Sequence, residues 1–127
     1  MLIDDFHGAR EWPIVQRAIQ RVLPGREIVE IPESDSVLRV VYDLKDRFQI
    51  PGRRHLSVRG GQTKVYMEGR PSWRGIYDDQ GRLIVAMNYT MDMGDGWEHA
   101  DDADYPAEMT GMAYQLAVNY IVYSMTH

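Results

Sequence analysis

The chain opens with a strand–helix–strand unit joined by almost no slack, and this limits the fold more than any other feature. Met1 to Ile3 reads as a short buried strand that ends at Asp4 and Asp5. A helix is expected over roughly Ala9 to Leu23, because Trp12, Val15, Ile19 and Val22 recur at helical spacing while Gln16, Arg17, Gln20 and Arg21 cover the opposite face. Pro13 is tolerated in a first turn, and Pro24-Gly25 stops the helix. Arg26 to Ile31 then reads as a second strand, closed by Pro32. Tight connections in this order predict a parallel α/β sheet.

The remainder alternates between clear and ambiguous segments. Val37 to Leu44 is apolar but too short for periodicity to separate helix from strand. HLSVR and QTKVYM flank Gly60-Gly61, which predicts a hairpin. A second hairpin is expected from RGIY, the turn DDQG and RLIVAMN. The last helix is expected from about Pro106 to Ser124, with Met109, Met112, Leu116, Tyr120 and Tyr123 as its stripe. Val118, Ile121 and Val122 widen that stripe until the helix reads as largely buried. At 127 residues the chain forms one domain with a core of its own.

Charge is unevenly placed. Asn88 to Asp104 holds six carboxylates, Asp92, Asp95, Glu98, Asp101, Asp102 and Asp104, with no Lys or Arg. Like charges crowd into one loop only with a partner or with full solvation, so the stretch marks a candidate site. A compensating segment exists, since Lys45 to Arg74 is rich in Lys and Arg and carries only Asp46 and Glu68 as acids. Trp97 is expected to pin the acidic loop by burial.

Ligands of open α/β sheets collect at the carboxyl ends of strands. Two clusters fall there: Asp4, Asp5 and His7 after the first strand, and Asn88, Asp92 and Asp95 after the strand Leu83 to Met87. Together with Trp97 and Glu98 they form the candidate ligand site. His7 and Asp5 are the candidate catalytic pair, and Asp92, Asp95 and Glu98 are weaker candidates for holding a divalent cation. The plain alternative is structural, with one of Asp4 and Asp5 capping a helix and the other bonding backbone amides. DMGDG is superficially like a calcium loop, but its carboxylates do not follow the EF-hand spacing.

Several chemistries are absent from the pattern. There is no Gly-rich phosphate loop, no paired-histidine zinc motif and no G-x-S-x-G elbow. Cysteine is missing altogether, which removes disulfides and thiolate chemistry. A net charge of −5 argues against nucleic acid as the main partner, even though Tyr66 and Trp73 lie in the basic segment. No run is long and apolar enough to span a bilayer.

The run IDDFHG, the helix beginning EWP and its exit RVLPGREIVEIP resemble a bacterial family known as domain of unknown function 4159. So do VYDLKDRFQIPG, WRGIYDDQGRLIVAMN, MDMGDGWEHADDADYP and the closing AVNYIVYSMTH, and the resemblance covers essentially the whole chain. It implies a partial three-layer (αβα) sheet related to class I glutamine amidotransferases, and a periplasmic or exported bacterial setting. It also implies an N-terminal half that would precede MLIDDF. The amidotransferase nucleophile is a cysteine, so that activity does not carry over.

These readings combine into a non-catalytic ligand- or protein-binding module of the bacterial envelope. The rival is a hydrolase using His7 with Asp4, Asp5 or Asp92 on a carbohydrate or amide. An open first strand and an apolar last helix further predict self-association, or completion by the N-terminal half.

Overall fold

The computed structural model describes residues 1–127. Its main sheet has the order β1-β6-β5-β2, formed by Leu2–Phe6 (β1), Val29–Glu30 (β2), Ser72–Tyr77 (β5) and Leu83–Tyr89 (β6). Leu56–Arg59 (β3) and Gln62–Val65 (β4) make a separate hairpin around Gly60 and Gly61, whose φ values of 57° and 75° suit its tight turn. The helices are Gly8–Val22 (α1), Met93–Glu98 (α2) and Ala107–Thr126 (α3).

The sheet is mixed, which corrects the parallel arrangement expected from the opening unit. Only β1 and β6 are parallel; β5 runs antiparallel to β6, and β2 antiparallel to β5. The β5–β6 hairpin lies between β1 and β2. Its turn is local and strong, because the Asp78 carboxylate accepts from the Gln80 and Arg82 amides. A hairpin closed over a few residues forms before a long crossover can pair its strands. The second strand is also shorter than Arg26 to Ile31, with two residues in the ladder.

β1 runs past its expected end at Ile3. Ile3 pairs with Met87 and Phe6 with Tyr89, so β1 carries one extra residue across that interval. Asp5 takes up the bulge with φ 55°, a left-handed conformation rare outside glycine.

Helices cover both faces. On one, Trp12, Val15 and Ile19 of α1 pack on Phe6, Ile76, Val85 and Met87, while Val22, expected in the same stripe, is exposed in the last turn. On the other, Leu116, Tyr120 and Tyr123 of α3 join Leu44, Ile50, Met93 and Trp73. Gly96 lets α2 approach α3 closely: a methyl group there would lie 2.7 Å from Ala113 Cβ. Val37 to Leu44 is neither helix nor strand beyond one 3-10 turn, Ser36–Leu38. Buried Asn119 of α3 fixes this segment, accepting from the Val41 and Tyr42 amides and donating to the Tyr42 carbonyl.

α3 is less covered than its composition suggests, with Tyr114, Ile121 and Met125 exposed. No helix is long and apolar enough to cross a membrane.

Candidate functional site

Because β1 and β6 are parallel, both deliver their following residues to one edge of the sheet. Asp4 and the start of the acidic stretch therefore meet, as the sequence predicts. Asp4 Oδ2 accepts from the Met93 amide at 2.6 Å and the Gly94 amide at 3.2 Å, and Oδ1 accepts from Asn88 Nδ2 at 3.3 Å. Burial raises the Asp4 pKa against the opposing pull of these hydrogen bonds. Asn88 is fully buried and also accepts from the Tyr120 hydroxyl at 2.9 Å. Asp4 and Asn88 thus use their polar atoms to tie β1, β6, α2 and α3 together.

Neither Asp4 nor Asp5 caps α1, whose side-chain cap comes from within: Glu11 accepts from the His7 amide at 2.8 Å. Asp5 is exposed on the bulge.

A second group gathers around Gly52, which is buried just before a 3-10 turn, Arg53–His55. A methyl group on Gly52 would lie 3.0 Å from Asp92 Oδ2, 3.2 Å from His55 Nδ1 and 3.4 Å from Asp95 Oδ2. Asp92 is 9% exposed, and its other oxygen accepts from the Asp95 amide at 2.9 Å. Burial is the main cause that pushes the Asp92 pKa up to about 6; nearby Asp5, Asp95 and Asp4 add to it, and the Asp95 amide opposes it. Asp95 Oδ2 accepts from the Arg53 amide at 2.6 Å.

The His55 ring lies edge-on to His7, with centroids 4.9 Å apart. The Nδ1 atoms of both are buried without a hydrogen-bond partner. Burial, then the charges of His7 and Arg54, lowers the His55 pKa, so its neutral form is favoured. The imidazole–carboxylate approaches within 4.0 Å belong to His99, with Asp95 and Asp102, and not to His7 or His55. His55 was invisible in the sequence. It arrives by a tertiary contact between the end of β1 and a turn far along the chain, and no local spacing marks it.

The remaining candidates separate. Trp97 packs against the core beside Leu116 and lines an apolar groove, so it pins the stretch as expected. Glu98 is exposed on α2. Asp92, Asp95 and Glu98 do not form one cation group; Asp95 clusters instead with Glu98 and His99, their ligand atoms lying within 4.8 Å of one another. The later acids are compensated by the basic segment, with Arg53 Nε 2.8 Å from Asp102 and Arg53 Nη2 3.8 Å from Asp104.

Chemically, the cluster packed around Gly52 brings together carboxylate acceptors and two imidazoles whose buried Nδ1 atoms have no hydrogen-bond partner. It suits a guest that brings positive charge or N–H donors. A family model described as Domain of unknown function (DUF4159) matches residues 1–125. No curated protein and no solved structure matches the chain.

Proposed function

The chain belongs to this family, domain of unknown function 4159, and from that premise we propose that it is a ligand-binding module without chemistry of its own. Its site is the polar cluster at the shared carboxyl edge of β1 and β6, and its ligand is a small cation. One observation supports this above others: Asp92 Oδ2, Asp95 Oδ2 and His55 Nδ1 crowd the place a Gly52 side chain would take, and Asp92 has no cationic partner. A carboxylate whose charge is disfavoured by burial and neighbouring acids is relieved when a cation enters.

The hydrolase alternative, with His7 and Asp4, Asp5 or Asp92 acting on a carbohydrate or amide, has less support. A general base and its carboxylate work at about 2.6–3.2 Å, directly or through one water. His7 has no direct carboxylate contact, and Asp4 is committed to backbone amides.

Thermal shift and imidazole NMR with magnesium, zinc and ethylammonium ions test the reading. Gly52→Ala is the decisive control. Gly52 has φ −60° and ψ 144°, which alanine adopts freely, and its methyl would press on Asp92, His55 and Asp95, so circular dichroism of the variant establishes its fold before the titration. At least one cation should stabilise the wild type and fail to stabilise Gly52→Ala. No response of the wild type to any of the three removes the proposal.

The kinship with glutamine amidotransferase-like sheets and the envelope setting belong to the same proposal and rest on the motif resemblance. So does self-association. β1 is an edge strand, and exposed Met1, Leu2 and Ile121 border an apolar groove of about 220 Å³ that Trp97 and Tyr120 also line. A second copy docked there would cover both the edge and the groove. Light scattering that shows a monomer at every concentration would remove this part alone.

A further inference from the structure

A cleft elsewhere in the molecule carries the opposite charge. It encloses about 470 Å³ where β5 begins and β2 ends, within the roughly 300–1,000 Å³ usual for small-ligand sites. Lys45, Arg47, Arg70 and Arg74 line it, against Glu30 and Glu33. Part of this charge is spent locally: Lys45 pairs with Asp43 at 2.7 Å, and Arg47 with Glu33 at 2.8 Å. Arg70 and Arg74 form no ion pair, although Glu30 sits directly across the ladder from Arg74.

Arg74 is held instead by aromatic faces. Its guanidinium carbon lies 4.1 Å from the Trp12 ring centroid and 4.3 Å from that of Tyr89. Only its Nε has a side-chain acceptor, Ser72 Oγ at 2.9 Å. The terminal N–H groups are therefore left over on a rigidly seated fork, the arrangement that binds an oxyanion in bidentate fashion with little ordering cost. On the opposite face of β5, the Arg47 side chain is 5% exposed and stacks on Trp73 at 4.7 Å. Arg47 Nε and Trp73 Nε1 are both buried donors without an acceptor.

We infer that this cleft is a second binding site, for the oxyanion group of a small organic anion, with Arg74 as its fixed fork and Arg70 as its mobile cation. The site shares no residue with the Gly52 cluster, so it stands whether or not that reading does.

The test is an NMR titration of the full chain with inorganic phosphate and, separately, with acetate, each against chloride at equal ionic strength. Saturable shifts of the Arg74 and Arg70 side-chain N–H signals are expected. A preference for phosphate identifies a phosphoester ligand, and a preference for acetate a carboxylic acid. Arg74→Lys keeps the charge and the stem but loses the fork, and should weaken binding about tenfold. Arg70→Gln changes an exposed side chain that does not hold the fold together, and should weaken it several-fold. No saturable shift with either anion overturns the inference, as does affinity unchanged in both variants.

Discussion

Asp92 and Asp102 come from the same acidic stretch, yet the protein treats them in opposite ways. Asp102 lies against the Arg53 guanidinium, whose hydrogen bond holds its carboxyl below the usual range. Asp92 is buried beside other acids without a cation, and its pKa rises to about 6. The contrast shows that density of charge along a chain does not separate a site from a solvated face. What separates them is whether tertiary packing supplies the counter-charge.

The widest gap should be exposed at Asp4, the structural anchor of the uncompensated half. Asp4→Ala strands the Met93 and Gly94 amides and frees Asn88, and should cost about 2–4 kcal/mol in urea denaturation. Asp4→Asn should cost less, since one acceptor oxygen remains. A loss no larger than that of a surface substitution would mean that these contacts are not maintained in solution.

Asp92 gives the next effect, and its sign is set by proton linkage. Its folded pKa, about 6, exceeds the unfolded value near 3.9, so between those values the folded state holds a proton that the unfolded state releases. Stability therefore falls as pH rises through this window, and above it the group costs up to about 2–3 kcal/mol. Asp92→Asn keeps an acceptor for the Asp95 amide and removes the charge. It should stabilise the protein at neutral pH and flatten the slope between about pH 4 and 6. A slope unchanged from wild type would place its origin elsewhere.

The bulge at Asp5 predicts a smaller change. Asp5→Gly removes the cost of φ 55° but adds freedom to the unfolded chain, so a net gain of at most about 1 kcal/mol is expected. The smallest effect belongs to the compensated half. Asp102→Asn breaks an accessible pair and should leave the urea midpoint unmoved at physiological salt. A large loss there would erase the distinction between the two halves.

Much of the fold was legible because it is written in local signals. The α1 stripe, the Gly60-Gly61 hairpin, the DDQG turn and the last helix all appear within about two residues of their expected ends. The shared edge for Asp4 and Asp92 also followed from the chain, since it needed only that two strands run the same way. α2 escaped notice because two glycines and a short length hide its period, and it is held by Asp4 and by Ala113 rather than by propensity.

The sequence by itself determined most of the strands and helices, α2 excepted, and that acids would accumulate beyond β6. Turn chemistry and apolar periodicity act over a few residues, so their outcome does not wait for the rest of the molecule. Only the tertiary structure decided that a hairpin would separate β1 from β2, that His55 would meet His7, and that Arg53 would neutralise Asp102 but not Asp92. Those outcomes depend on distances between residues remote in sequence. Burial and Coulomb interactions act through space, and their partners exist only once the sheet has formed.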